Sequence, residues 1–195
     1  MEDLSRFRET EYKIEPFFRD RWSPRAMSGE TITKSELMSL FEAARWAPSS
    51  YNNQPWRFLY AFRDTQWWSA YFDLLVEFNQ SWAKNAAALV VIVSKKTFDS
   101  GEPCITHSFD AGSAWGQLAL QTSIKGLVAH GMQGFDYDKA REVLRIPADY
   151  QVEAMCAIGK PGKKEDLPEG LRSKETPSGR KRVVEIAIEG PFTAG

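Results

Sequence analysis

The sequence is poor in the residues that usually hold metals or form disulfides. It has two cysteines, Cys104 and Cys156, and two histidines, His107 and His130, among 195 residues. A structural zinc site usually needs four such ligands in closely spaced pairs, so no metal site is predicted. No local signature of a catalytic Cys–His pair surrounds either cysteine. We therefore expect two reduced thiols, as is usual in a cytoplasmic protein.

Excess charge of one sign and long apolar runs are also missing. The 25 Lys and Arg residues nearly balance the 26 Asp and Glu residues, which gives a formal net charge of −1, whereas a dedicated nucleic-acid binder usually has a basic excess. The longest apolar run, residues 86–93, is far shorter than the roughly 20 residues of a membrane helix. The charged N-terminus lacks the apolar core of a signal peptide. These features predict a cytoplasmic protein that binds neither nucleic acid nor membrane.

Aromatic residues, by contrast, are abundant. Twelve Phe, seven Trp and six Tyr make up 13% of the chain, and so many rings favour a large interface or a flat ligand. The length suits a single domain spanning residues 1–195. Within it, the segment 160–180 is rich in Pro, Gly, Lys and Glu and is predicted to be a flexible loop.

The hydrophobic spacing predicts a mixture of helices and strands. A capping box at Thr33 and Glu36 begins the clearest helix, and Gly126 is a natural end for the longest one. The predicted helices are 3–20, 33–46, 64–78, 107–125 and 136–146. The predicted strands are 56–62, the valine-rich 88–94, 152–159 and a last one within 182–190.

Regular alternation of strands and helices is absent, and so are the glycine-rich phosphate loops of nucleotide-binding folds. This pattern indicates an α+β fold rather than a doubly wound one.

Three segments have polar residues that follow no helical or strand period. They are Arg21-Trp22-Ser23-Pro24-Arg25, the amide-rich stretch 47–56 and the glycine-containing stretch 126–135. Arginine offers a planar fork of donors that suits phosphate, amides can read the edge of a heterocycle, and glycine allows close backbone approach. The residues alone leave open that these are a charged surface loop, a tight connection and an ordinary turn.

Together with Asn79-Gln80-Ser81-Trp82-Ala83, these segments resemble four ordered motifs of the nitroreductase family of FMN-dependent oxidoreductases. The most specific block is Ala47-Pro-Ser-Ser-Tyr-Asn-Asn-Gln-Pro-Trp56, and the resemblance spans roughly residues 14–190. It implies a mostly antiparallel central sheet flanked by helices, in an intertwined homodimer that binds FMN at the subunit interface. It also implies that the C-terminal strand is exchanged with the partner.

The same resemblance implies roles for individual residues. Arg21 would bind the FMN phosphate, Ser23 the flavin or its ribityl chain, and Arg25 the region of N1 and the C2 carbonyl. Asn79 would contact the polar edge of the ring, and Gln133 and Gly134 would face N5. The remaining residues implied to lie around the cofactor are Trp22, Pro48, Ser49, Ser50, Asn52, Gln54 and Met132, with Arg180 or Arg182 as a late phosphate contact.

The implied reaction is a ping-pong transfer. Hydride passes from NADH or NADPH to flavin N5, and a nitroaromatic, quinone or similar acceptor is then reduced. The flavin carries the chemistry, so no catalytic acid or base is expected, and a cation near N1 stabilises the reduced form. The alternatives are a non-catalytic flavin-sequestering protein and a same-fold enzyme with different flavin chemistry.

Overall fold

The protein is described by a computed structural model covering residues 4–192. The first three and last three residues of the predicted domain 1–195, including residue 3 of the first predicted helix, lie outside these described residues. The helices are α1 Pro16–Asp20, α2 Lys34–Arg45, α3 Trp68–Phe72, α4 Glu77–Ala83, α5 His107–Ile124, α6 Tyr137–Val143, α7 Glu169–Arg172 and α8 Val183–Ile186. The strands are β1 Trp56–Phe62, β2 Ala88–Lys95, β3 Val128–Met132 and β4 Tyr150–Gly159.

The helices with clear sequence boundaries form where they were predicted. The Thr33 side chain accepts from the backbone of Glu36, whose own side chain accepts from the backbone of Thr33, so the capping box of α2 is complete. Asp136 caps α6 by accepting from the backbone of Lys139. Gly126, which follows α5, has φ +71°, the left-handed conformation that glycine adopts without strain.

The four strands form one antiparallel sheet in the order β1-β2-β4-β3. This confirms the predicted α+β class, and here all pairings are antiparallel. The β2 strand lies in the interior of the sheet, and seven of its eight residues are buried. That burial on both faces explains its unbroken apolar sequence from Ala88 to Val93.

Two cores cover the two faces of the sheet. Alternate residues of β2 point to opposite sides, so that Leu89 and Val91 join one core and Val90 and Ile92 the other. The first core is closed by residues of α3, α4 and α6, and the second by α2 and α5. The described chain is therefore a three-layer arrangement, with α5 packed against the sheet along its length.

Two predicted helices are wrong in extent. The first, 3–20, is reduced to Pro16–Asp20, because Glu15 precedes a proline and takes an extended conformation. The second, 64–78, is broken after Phe72, and Val76 is extended. The Val76 amide donates to the Gly134 carbonyl at 3.1 Å, and Leu75 pairs with Phe135, so tertiary pairing replaces the helix there.

The strand predicted within 182–190 is also absent, because residues 183–186 form the short helix α8 instead. The 160–180 segment, predicted to be a flexible loop, contains a helical turn at Lys164–Asp166 and the helix α7. Its Leu167 and Leu171 are buried in the first core. A further strand, β3, was not predicted, since its sequence Val-Ala-His-Gly-Met has no clear alternation and it is formed by pairing with β4.

Candidate functional site

The segment 21–25 separates two cavities. Arg21 and Ser23 line a first cavity of about 450 Å³, whereas Trp22 and Pro24 line a second cavity of about 640 Å³. Neighbouring side chains thus point to different sides of the segment. Arg21 and Ser23, the first and third residues of the Arg-x-Ser motif, therefore face the same cavity.

The first cavity lies between this segment, helix α5 and strand β3. Its other lining residues are Phe18, Trp115, Gly116, Ala119, Leu120 and Gly131. A Cβ atom on Gly131 would lie 3.1 Å from the Trp115 ring, so glycine lets the strand and the indole approach closely. The Trp115 ring packs against the second core and is also a wall of the cavity.

Positive charge is concentrated beside the first cavity. The pKa of the half-buried Arg21 is lowered by burial and then by the positive charge of Arg180. Burial, Arg180 and Arg21 likewise lower the pKa of Arg8. The Asp20 carboxylate opposes this shift at Arg8, and it is itself paired with Arg19 at 2.6 Å. Arg8, Arg21 and Arg180, the three-arginine cluster, therefore lie near one another, and such a grouping of cations favours an anion site at the one of them that lines the cavity, Arg21.

The two arginines considered as late phosphate contacts are separated by the structure. Arg180 belongs to the three-arginine cluster, and its side chain also donates to Ser178 and Gly179. Arg182 forms an ion pair with Glu11 at 2.9 Å. Of the two, only Arg180 is placed to contribute to the anion site.

Arg25 lies in a second group of polar side chains with His130 and Trp82. The His130 ring packs 4.8 Å from the Trp82 ring, and its Nδ1 lies 3.2 Å from the Pro24 carbonyl oxygen. Burial and then the charge of Arg25 lower the pKa of His130, which favours the neutral imidazole. Within the described residues, the buried Nε of Arg25 and Nε1 of Trp82 have no hydrogen-bond partner. Trp82 is 1% exposed in the first core, so of the two donors only Arg25 belongs to the motif segment 21–25.

The motif segments 79–83 and 126–135 meet at Gly134. The Asn79 side-chain amide donates to the Gly134 carbonyl at 3.0 Å, and a Cβ on Gly134 would lie only 2.7 Å from that amide nitrogen. Met132 is buried at the end of β3, while Gln133 is exposed. The predicted residues of these motifs are thus adjacent, and the close approach requires glycine.

The second motif is anchored separately, at the beginning of α5. The Ser50 amide donates to the buried Asp110 carboxylate at 3.1 Å, and Ser49 Oγ accepts from the Gln54 amide at 3.0 Å. Tyr51, Asn52 and Gln54 have positive φ angles of 48–55°, and Pro48 precedes them. These left-handed residues are uncommon outside glycine and mark a tightly constrained loop.

Trp22 faces the second cavity, which it shares with Phe7, Glu175, Pro177 and Lys164 among others. The Glu175 carboxylate accepts from the Arg25 and Ala26 amides at 2.7 and 2.8 Å. The placement of Trp22 therefore differs from that of Arg21 and Ser23. Through these two bonds Glu175 fixes the backbone of the segment from the side of the second cavity.

The motif segments 21–25, 79–83 and 126–135 thus lie around β3, whereas the motif segment 47–56 lies at the first turn of α5. Sequence reasoning missed Arg8, which sits in an ordinary charged stretch, and it gave Trp115 and Asp110 no role at the site. Only their spatial neighbours distinguish them, so no local signal could have singled them out.

Comparison with known proteins extends the resemblance. The model of the Nitroreductase family matches residues 18–71. The protein DrgA of Synechocystis is 31% identical over 174 residues, covering 75% of this chain and 81% of that protein. The chain belongs to the nitroreductase family. The family's oxygen-insensitive NADPH nitroreductase of Helicobacter acinonychis is 29% identical over 168 residues, covering 67% of this chain and 78% of that enzyme.

Solved structures of the family agree with the fold. A crystal structure described as an oxidoreductase containing FMN matches with a TM-score of 0.92 and 45% identity, covering 96% of this chain and 97% of that one. A nitroreductase family protein from Clostridium difficile matches with a TM-score of 0.68 and 18% identity, covering 90% and 97% of the two chains. At that identity the second match supports the fold alone.

Residues 4–192 contain neither a membrane-spanning helix nor a metal-binding cluster. No helix there has the length and apolar character needed to cross a membrane. No group of three or more His, Cys, Asp and Glu side chains there could hold a metal ion.

Proposed function

We propose that this nitroreductase-family oxidoreductase binds FMN and uses NADH or NADPH to reduce small aromatic or quinone-like acceptors. One observation supports this most: Arg21, in the segment that carries the family's first motif, lines a cavity, and the cations Arg8 and Arg180 lie near it. The FMN-containing relative at 45% identity supports the same cofactor.

The cluster suits the phosphate end of FMN. A phosphate carries close to two negative charges at neutral pH, and arginine can bind it through two parallel hydrogen bonds. Arg21 Nη1 already donates to Ser23 Oγ at 3.1 Å, which orients both side chains toward the same cavity. Arg21 and Arg180 would hold the phosphate, and Ser23 the adjoining ribityl chain.

The residues around β3 suit the ring. Arg25 has a buried Nε without a partner in the described chain, and a cation beside N1 and the C2 carbonyl favours the reduced flavin. Asn79 and Gly134 fix each other through their hydrogen bond, which would place the Gln133–Gly134 backbone near N5. FMN, when bound, supplies the hydride chemistry, and these residues bind and orient it.

The second motif favours a site shared between two subunits. Pro48, Ser49 and Ser50 lie at the first turn of α5, apart from the motifs around β3. Beside them Tyr51, Ile105 and Phe109 are exposed by 94%, 92% and 80%. A homodimer would cover these side chains and bring this loop, with Asn52 and Gln54, to the partner's flavin.

Absorbance spectroscopy of the purified protein tests the proposal. Bound FMN should give a yellow protein whose flavin bands bleach anaerobically under NADH or NADPH and return when a quinone is added. A colourless protein that FMN cannot reconstitute would contradict it. Bound FMN that neither nicotinamide reduces would instead favour flavin sequestration.

A further inference from the structure

Arg8 has an unusual environment for a charged side chain near the N-terminus. It is 9% exposed, and its guanidinium donates to three main-chain carbonyls. Nε donates to Ser178 at 2.9 Å, and Nη1 donates to Arg19 and to Arg21 at 2.8 Å each. Charge-assisted bonds of this kind offset the cost of burying the cation.

These bonds join two distant parts of the sequence. Arg19 and Arg21 flank the end of α1, whereas Ser178 precedes Arg180 in the C-terminal part of the chain. The Ser178 carbonyl accepts from Arg180 as well, at 3.4 Å. Arg8 therefore connects, through the backbone, the two segments that carry Arg21 and Arg180.

Like charges oppose this arrangement. Three guanidiniums close enough to influence one another repel, and the nearby Asp20 is paired with Arg19. This repulsion favours separation of Arg21 and Arg180 unless other contacts hold them. The bonds from Arg8 hold their backbones in place, and a bound phosphate would relieve the repulsion.

We propose that Arg8 is a positioning residue for the phosphate end of the cofactor site: it ties residues 19–21 to residues 178–180, so that Arg21 and Arg180 face the same anion. This inference rests on the proposed binding of FMN. It adds a residue from outside the four motifs, and it gives the N-terminal segment a part in cofactor affinity.

The guanidinium fork is the essential feature. Lysine keeps the charge but has a single ammonium point, which cannot reproduce donors fixed in a planar fork. Arg8→Lys and Arg8→Ala should therefore both separate the two segments. The exposed Arg6 lies two residues earlier and has the same charge, so Arg6→Ala is the matched control.

Titration of the apoprotein with FMN and with riboflavin, followed by quenching of flavin fluorescence, tests this role. Loss of the charged bonds should weaken FMN binding about tenfold or more in Arg8→Ala, and less in Arg8→Lys. Riboflavin has no phosphate, so its affinity should change less than twofold. Inorganic phosphate should raise the unfolding temperature of the wild-type and Arg6→Ala apoproteins more than that of the Arg8 variants.

The outcomes separate the two proposals. A wild-type protein that binds no FMN would overturn the proposed function. Wild-type-like FMN affinity in Arg8→Ala would overturn the role of Arg8 alone, as would an equal loss of FMN and riboflavin affinity, which indicates a general folding defect. If Arg8→Ala does not fold, Arg8→Lys decides by the same comparison of the two flavins.

Discussion

At the scale of single residues, charge pairing distinguishes arginines that look alike in the sequence. Arg180 and Arg182 are two positions apart, yet among residues 4–192 only Arg182 has a carboxylate partner, Glu11. An arginine already paired with an exposed carboxylate has less to gain from an anion than one held among other cations. Position in the fold, and not residue type, therefore separates the two.

Substitution of these arginines gives the first prediction. Arg21→Ala should weaken FMN binding by about 1.5–3 kcal/mol, the usual loss for a charged hydrogen bond, or roughly 10- to 150-fold in Kd. Arg180→Ala should act in the same direction, and Arg182→Ala should change the affinity less than twofold. Isothermal titration of the apoproteins with FMN measures all three. Unchanged binding in Arg21→Ala would remove that residue from the phosphate site.

His130 gives a prediction about pH. Because its pKa is lower in the folded protein than in the unfolded chain, the unfolded chain takes up the proton first. The neutral His130 therefore contributes stability above about pH 6.5, and this contribution is lost as the pH falls toward the folded-state pKa. Thermal unfolding between pH 8 and pH 5 should show a steeper loss for the wild type than for His130→Asn.

The control is built into that comparison, since His107 and all carboxylates are present in both proteins. Asparagine retains a donor near the position of Nδ1 for the Pro24 carbonyl but does not titrate in this range. Parallel pH profiles for the two proteins would show that His130 has no part in the loss of stability.

At the scale of elements, the junction between α4 and the end of β3 depends on a missing side chain. Gly134→Ala would place a Cβ 2.7 Å from Asn79 Nδ2 and 3.1 Å from Val76 Cγ2. We expect Asn79 to be displaced and the protein to lose about 1–3 kcal/mol in free energy of unfolding. Denaturant unfolding measures this, with Gly170→Ala as the control, because a Cβ there meets nothing within 4 Å. Equal stability of the two variants would contradict the steric argument.

Elements with local signals were predictable from the sequence. The capping box fixed the start of α2, Gly126 marked the end of α5, and apolar runs indicated β1, β2 and β4. The break between α3 and α4 and the strand β3 arise from pairing between segments more than twenty residues apart. A single-sequence pattern does not contain that pairing.

The candidate site, too, was only partly predictable from the sequence. The ordered motifs named Arg21, Ser23, Asn79 and Gly134, and the structure places these residues around one strand. The sequence did not reveal that Trp22 faces another cavity or that Arg180 rather than Arg182 joins the cationic cluster. Both depend on which side of a loop a side chain takes, and only the packing of the chain decides this.

At the scale of the whole molecule, the C-terminal segment has apolar side chains that a single chain leaves exposed. Val184, Ile186, Ile188 and Phe192 are all exposed, the last by 84%. Such a row of apolar side chains contributes little to the fold of one subunit. In a homodimer, the partner subunit would bury these side chains at the interface.

Truncation after Arg182 tests this while keeping Arg180. The shortened chain should unfold at nearly the same temperature when dilute but dissociate at higher concentration than the full chain, because the removed side chains would be buried only in the dimer. Light scattering across a dilution series measures the change. A dimer of unaltered strength would exclude residues 183–195 from the interface.

The alternation of residues 21–24 between two cavities also bears on how this stretch can change. Substitution at any one position would alter one cavity and leave the other intact. Insertion or deletion of a single residue would exchange the two sets of side chains, much as a one-residue slip does in a strand. Evolution can therefore revise the chemistry of this stretch one position at a time, but it must preserve the length.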